Sequence, residues 1–431
     1  MYLYNIYLLT MKSMKSIKDL TFIDLFAGAG GFSEGFMREG YKSMAHIEMD
    51  SYACSTLKTR MSYHYLKDNG KIKDYEKYVE GRISKEELYE LIPEHILNSV
   101  INEEITEYNL DSLFKKIMYN LDNYGCDSVD LIVGGPPCQA YSIVGRSRDP
   151  HRMEDDSRNY LYKLYLRFIK FFKPSILVFE NVPGLISAGN GIFFQDLKTN
   201  LQNLGYALGY DILNAKDYGV LQNRKRVILI GWSKDLCINF PNLKKIDNHS
   251  YNVRDLFSDL PPIEPGEKIL CREYSKNPSE YLIRNRIRDN GGKLIQHITR
   301  NHNERDRQIY RMAIEKWKNE LKRLSYSDVP TRYRTHKNVE SFLDRYKVVA
   351  DDLPYCHTLV AHVSKDGHYY IHPDTNQARS LSVRETARIQ SFPDDYFFEG
   401  PMTSNFRQIG NAVPPLMAEK ISHGLKLMLN D

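Results

Sequence analysis

Thr21-Phe22-Ile23-Asp24-Leu25-Phe26 runs directly into Ala27-Gly28-Ala29-Gly30-Gly31, and no other stretch restricts the fold as tightly. The apolar run reads as a buried strand. Its three closely spaced glycines impose a tight turn, and Phe32 to Glu39 then carries helical spacing that ends at Gly40. Strand, glycine turn and helix make the first βα unit of an open α/β sheet, with the helix N-terminus facing a ligand. A second strand, Lys42 to Ile47, ends in Glu48-Met49-Asp50. An acidic group at that point is placed to accept hydrogen bonds from ribose hydroxyls. The dinucleotide spacing GxGxxG fails, because Ser33 stands where the third glycine belongs. The turn therefore favours an adenosine-bearing cofactor other than a nicotinamide.

The second constraint is Leu131-Ile132-Val133-Gly134-Gly135-Pro136-Pro137-Cys138-Gln139-Ala140-Tyr141-Ser142. A short buried strand from Val129 to Val133 stops at two glycines and two prolines, and a cysteine stands on the stiff turn that follows. That sheet edge is where ligands bind in α/β folds, and the prolines limit the backbone before the thiol. A lone cysteine is more often a small buried hydrophobe; here Gln139 and Ser142 argue for an exposed nucleophile. Beyond it, Gly145 to Arg152, with Arg146 and Arg148, reads as a loop able to close over a phosphate backbone. A helix from Asn159 to Phe172 leads to a strand, Ser175 to Phe179, which ends in Glu180-Asn181-Val182. Glu180 is a second catalytic candidate. A further helix, Phe193 to Leu204, precedes Gln222-Asn223-Arg224-Lys225-Arg226 at the head of another strand. Alternation predicts one polar face for Gln222, Arg224 and Arg226, suited to phosphate or carbonyl recognition.

Length and charge set the domain plan. A chain of 431 residues, 42% hydrophobic and 26% charged, is globular and large enough for two domains. The net charge is only +4, yet residues 241–350 hold 23 Lys and Arg against 15 Asp and Glu, which suggests one face for a polyanion. Residues 61–110 are the reverse, with 6 basic against 11 acidic residues; the stretch 62–116 is read as a helical acidic insertion. Residues 1–18 are expected to be a mis-annotated or disordered leader, with Met11 and Met14 as alternative starts. They form neither a signal peptide nor a span, so no membrane partner is expected. Six scattered cysteines without a CxxC pair fit a reducing cytoplasm. Cys356, His357, His362, His368 and His372 crowd together but match no zinc spacing, so no metal site is expected. The chain is divided into 19–235, a basic smaller domain over 236–355 that includes Arg332 and Arg334, and a return over 356–431. That return holds a capped amphipathic helix, Arg379 to Gln390, with a capping box at Ser382 and Glu385. Gly410-Asn411 and a last helix, Leu416 to Leu429, follow.

Taken together, these stretches resemble the C5-cytosine-specific DNA methyltransferase family, in the manner of Dcm-like bacterial or phage modification methylases. Asp24 to Gly31 matches its cofactor loop, Glu48 its ribose contact and Gly135-Pro136-Pro137-Cys138-Gln139 its nucleophile motif. Glu180-Asn181-Val182, Gln222-x-Arg224-x-Arg226, Arg379 to Gln390 and Gly410-Asn411 match the later motifs in the family's order. The resemblance implies a Rossmann-like S-adenosylmethionine-dependent methyltransferase domain of α/β class. It also implies a smaller target-recognition domain inserted before the C-terminal motifs.

The cofactor residues it implies are Asp24, Phe26, Ala27, Gly28, Gly30, Gly31, Glu48, Met49, Pro136 and Asn411. Glu104 stands where the family offers an aspartate to the adenine amine. The implied chemistry is addition of Cys138 to C6 of a flipped-out cytosine. Glu180 protonates N3, Arg226 binds O2, and Arg224 braces the loop and phosphate. S-adenosyl-L-methionine donates the methyl group. Gln139, Ser142, Arg146, Arg148, Gln222, Arg332 and Arg334 are the expected contacts to double-stranded DNA. A monomer is expected, with or without a cognate restriction endonuclease acting on the same site. The rivals are a tRNA-directed member, whose Cys-Phe-Thr element is absent here, and a silent DNA-binding protein of the same fold.

Overall fold

The computed structural model describes residues 20–137, 161–236, 238–246, 250–335, 340 and 343–430. Seven strands form the central sheet: β1 (Thr21–Leu25), β2 (Lys42–Glu48), β3 (Val100–Asn102), β4 (Leu131–Gly134), β5 (Ile176–Asn181), β6 (Tyr206–Asn214) and β7 (Lys225–Ser233). Their order is β3-β2-β1-β4-β5-β7-β6. The pairs from β3 through β5 are parallel, whereas β7 runs antiparallel to both β5 and β6. Every residue of β1 and β4 is buried, as continuous apolar runs in a doubly covered parallel sheet require. The chain leaves β1 outward through β2 and β3, then returns to its other side at β4. That reversal opens a crevice at the strands' carboxyl ends, and the glycine turn and the Gly-Pro-Pro turn both lie there.

Helices α1 (Gly31–Arg38), α2 (Ser51–Asp68), α3 (Ile72–Val79), α4 (Lys85–Glu90), α5 (Glu94–Asn98) and α6 (Leu110–Asn123) occupy the first half. Next come α7 (Leu161–Phe172) and α8 (Ile192–Asn203). Helices α9 (Glu280–Arg284), α10 (Glu304–Glu320), α11 (Val383–Ile389), α12 (Met402–Asn411) and α13 (Pro415–Asn430) complete the set in the described residues. The last helix packs on the first. A Cβ at Gly31 would collide with the Val413 carbonyl oxygen, and one at Gly35 would meet Ala418 Cβ at 2.5 Å. Those two glycines let the two ends of the fold close against each other. None of the helices in the described residues is long and apolar enough to cross a membrane.

One expectation about the domain plan changes. The stretch 62–116 is not wholly an insertion, because Val100-Ile101-Asn102 is the edge strand of the central sheet, paired with β2. Only α3, α4 and α5 decorate the sheet at that point. The region 236–355 contributes to two apolar clusters. Its antiparallel pair, β8 (Lys268–Glu273) and β9 (Lys293–Ile298), buries Ile269, Leu294 and Ile298 in the same cluster as Val383 and Ala387 of α11. Helix α10 instead packs Ile309, Tyr310 and Ile314 with Tyr326, Val329 and Tyr346 in a separate cluster.

Helix α11 is not amphipathic either: all seven of its residues are buried. The capping box at Ser382 and Glu385 is present, and the arginines are satisfied internally. Arg388 donates to Asp259 Oδ1 at 2.5 Å and Asp394 Oδ2 at 2.6 Å. Arg384 donates to the carbonyls of Ile295, Pro393 and Tyr396. Arg379 forms a bidentate pair with Glu385, both bonds at 2.7 Å. Buried cations are tolerated only when their donors are met this completely.

Candidate active site

The glycine turn begins with a strained residue. Phe26 has φ of 59°, a left-handed conformation that costs a non-glycine residue about 1–2 kcal/mol and that gathers at functional sites. Gly28 follows at φ 55°, and a Cβ built there meets nothing within 4 Å. The turn therefore opens onto free space on that side. Its shape is fixed by Glu48, whose Oε2 accepts the Gly28 N–H at 2.9 Å while Oε1 accepts the Asp50 N–H at 2.8 Å. Each oxygen retains a further lone pair for a ligand hydroxyl. Met49 is 62% exposed beside it. Asn102, closing β3, donates to the Glu48 and Met49 carbonyls at 3.2 and 3.0 Å. Gly30 and Gly31 are buried, and Ala29 gives its carbonyl to Tyr396 Oη at 2.5 Å. An open glycine face, a carboxylate at the next strand end and an exposed apolar side chain together fit an adenosine-bearing group.

Asp24 is arranged differently from the expected cofactor contact. It is 2% exposed and accepts the Ser33 hydroxyl at 2.6 Å, so it underlies the turn without lining its open side. Glu104 is exposed two residues beyond β3.

Across the crevice, Glu180 on β5 and Arg226 on β7 form an ion pair, Nε to Oε1, at 2.7 Å. Their side chains are 13% and 12% exposed, sheltered yet reachable. The antiparallel register brings them together: Asn181 pairs with Val227 and Glu180 with Ile228. A Cβ at Gly135 would stand 2.6 Å from Glu180 Oε2, so only glycine leaves room for the carboxylate there. Asn181 donates to the Pro136 carbonyl at 3.1 Å and ties the Gly-Pro-Pro turn to β5. Pro136 is buried and Pro137 exposed. Cys138, Gln139, Ser142, Arg146 and Arg148 lie outside the described residues.

Gln222 and Arg224 depart from the expected polar face. Arg224 precedes β7 and is 1% exposed; its guanidinium donates to the Leu359 carbonyl at 2.5 Å and the Ala412 carbonyl at 3.0 Å. Gln222 is wholly buried, donating to Gln390 Oε1 at 2.7 Å and accepting the Leu359 N–H at 2.8 Å. Neither reaches a surface that DNA could touch. Arg224 instead holds the C-terminal end of α12, whose last residue, Asn411, is itself exposed. Arg334 is half-buried and engaged with its own segment, donating to the carbonyls of Val329 and Ser327 at 2.7 Å each. Arg332 is exposed, with its guanidinium 4.8 Å from the Tyr333 ring centroid. The bracing roles of Asn102 and Asn181 are not among the sequence expectations, although Asn181 stands in the Glu180-Asn181-Val182 motif. The available signal was the same in both: an asparagine closing a buried parallel strand.

The fold is shared with known methyltransferases. A protein described as a prophage-encoded DNA modification methyltransferase from E. coli superposes with a TM-score of 0.63 at 23% identity, covering 96% of this chain and 100% of that one. The Entamoeba histolytica methyltransferase EhMeth follows at 0.51 and 15%, over 94% and 98% of the two chains. This is a Rossmann-like methyltransferase fold. At the level of sequence, the model of C-5 cytosine-specific DNA methylases matches residues 20–92 and 94–426. The type II methyltransferase M.Bpa9945I of Bacillus paralicheniformis is 41% identical over 446 residues, covering 95% of this chain and 99% of the relative. Type II methyltransferase M.DdeI of Desulfomicrobium norvegicum is 34% identical, over 94% and 88% of the two. The chain belongs to the C-5 cytosine-specific DNA methylase family and is a DNA (cytosine-5-)-methyltransferase.

Proposed function

We propose that this enzyme methylates C5 of a cytosine flipped out of a specific duplex DNA sequence, with Cys138 as the nucleophile and S-adenosyl-L-methionine as the methyl donor. The observation that carries the reading is the Glu180–Arg226 pair at 2.7 Å, set against the turn that leads three residues later to Cys138. Cytosine C5 is a weak nucleophile until a group adds at C6. The Cys138 thiolate forms that Sγ–C6 bond while Glu180, having taken up a proton from solvent, passes it to N3. Arg226 orients the carboxyl and offers its remaining N–H groups to O2 of the base. Asn181 and Gly135 keep the turn at a fixed distance from Glu180. Bound S-adenosylmethionine supplies an electrophilic methyl group and a cationic sulfonium. Loss of the C5 proton to solvent afterwards breaks the Sγ–C6 bond and frees the Cys138 thiolate, and N3 returns its proton to Glu180. Gly28 and Glu48 would hold the adenosine part, with Met49 against the base.

The base must leave the stack for C5 and C6 to become accessible. Arg332 and the basic surface of 241–350 are proposed to grip phosphates around it. Because its relatives are named type II methyltransferases, we place the enzyme in restriction–modification, as a cytoplasmic monomer beside a cognate endonuclease for the same site. Purified protein with methyl-labelled S-adenosylmethionine should label duplex DNA and leave tRNA unlabelled. Label in tRNA alone would overturn the choice of substrate.

A further inference from the structure

Glu48, Met49 and Asp50, at the carboxyl end of β2, are anchored unequally. Glu48 is held through its carboxylate by the Gly28 and Asp50 N–H groups. Asp50 caps α2, accepting the Tyr52 and Ala53 N–H groups, and its Oδ2 takes a hydrogen bond from Arg407 of α12 at 2.7 Å. Met49 has neither kind of support. Its side chain is 62% exposed, and among the described residues its carbonyl is met by one group, Asn102 Nδ2 at 3.0 Å. The same nitrogen donates to the Glu48 carbonyl at 3.2 Å, which also accepts from Cys54 Sγ at 3.2 Å. Asn102 is the last residue of β3 and pairs in parallel register with Glu48, the last of β2, which brings its amide across the end of the neighbouring strand. An amide nitrogen carries two donors for two successive carbonyls, whereas a carboxylate of the same shape carries none.

We propose that Asn102 is a positioning residue for the methyl donor, which sets the affinity for its adenosine part by fixing the main chain at Met49. Without the amide, nothing among the described residues holds the Met49 carbonyl, and the ligand must order that peptide as it binds. An ordered wall avoids this cost. The effect falls on ligand capture and not on the chemical step, because Glu180 and Arg226 stand on β5 and β7, across the sheet from β3. S-adenosylmethionine and S-adenosylhomocysteine share the adenosine part, so Asn102 serves both alike. The inference rests on the reading of Gly28, Glu48 and Met49 as the S-adenosylmethionine site.

Calorimetry and steady-state kinetics on the full chain test it with Asn102→Ala and Asn102→Asp. Each variant should weaken the two ligands by a common factor, about tenfold for Asn102→Ala, with the KM for S-adenosylmethionine raised alongside. The kcat at saturating donor, the KM for DNA and the thermal midpoint of the ligand-free chain should keep their wild-type values. Asn102→Asp should bind more weakly still, since it sets a carboxylate against two carbonyl oxygens; a packing role would make this near-isosteric change the milder one. If Asn102→Asp does not fold, the split between KM and kcat in Asn102→Ala decides alone. Unchanged affinity, a loss confined to kcat, or a milder Asn102→Asp would overturn the inference while leaving the cofactor reading intact. Binding of neither ligand by the wild type would overturn both.

Discussion

Arg224 and Arg226 are two residues apart and do opposite work. Arg226 meets Glu180 at the crevice, sheltered yet reachable. Arg224 is sealed beneath it, bonded to backbone carbonyls from 359 and 410–412. Removing it takes a donor from each of those carbonyls, of which Ala412 keeps Gln390 Nε2 at 3.0 Å, and buried unsatisfied groups cost about 1–3 kcal/mol each. Arg224→Ala should therefore lower the thermal midpoint by several degrees and reduce protein yield. Arg226→Ala should leave the midpoint nearly unchanged and cut methyl transfer by roughly a hundredfold or more. Thermal melts alongside single-turnover methylation check the pair; equal losses of stability in both variants would contradict the division of labour. A polar residue preceding a strand looks the same in sequence whether it serves substrate or scaffold. Arg224 shows that burial decides between the two.

At the scale of elements, helix α11 and its surroundings act as the joint between β9, the 251–263 stretch and the C-terminal return. Three histidines, two buried and His357 half-buried, sit around that joint and its loops. His297 lies between Ser382 Oγ and the Pro261 carbonyl, His357 stacks on Tyr370, and His372 faces Glu385. Burial pushes His297 and His357 down to about 4 and His372 to about 3. All three are neutral in the fold at pH 7, whereas the unfolded chain protonates near its ordinary histidine value of about 6.5. Their contribution is fully present above that value and is lost as pH falls from 6.5 toward 4. The loss is about 1.4 kcal/mol per histidine per pH unit. Chemical denaturation between pH 7 and 4.5 should show this decline. His372→Gln, which cannot gain a proton, should flatten it in part, and an unchanged slope would contradict the account. The sequence announced α11 through its capping box, but not its burial. Arg388 finds Asp259 across 129 residues, a pairing that local patterning cannot reveal. The edge strand β3 was hidden for a different reason: three residues are too few to show alternation, and they lie in acidic helical sequence.

At the scale of the molecule, the doubly wound sheet was legible because its chemistry sits at strand ends. Each motif is a buried apolar run followed by residues that cannot continue it: the glycine turn after β1, Glu48 after β2, Gly-Pro-Pro after β4 and Glu180 at the end of β5. The smaller region was less legible. Its basic character is compositional, and its share of two apolar clusters depends on contacts with α11 and with Ile371 that no periodicity reports. The fold thus brings Gly28, Glu48, Glu180 and Arg226 to one sheet edge, with the Gly-Pro-Pro turn tied to β5 by Asn181. The most direct test is base-resolution mapping of 5-methylcytosine in DNA from cells expressing the wild type or Cys138→Ala. One short motif, methylated with the wild type and unmodified with the variant, is the result this account predicts. The same motif methylated by the variant, or no methylated motif from a soluble wild type that binds S-adenosylmethionine, would contradict it.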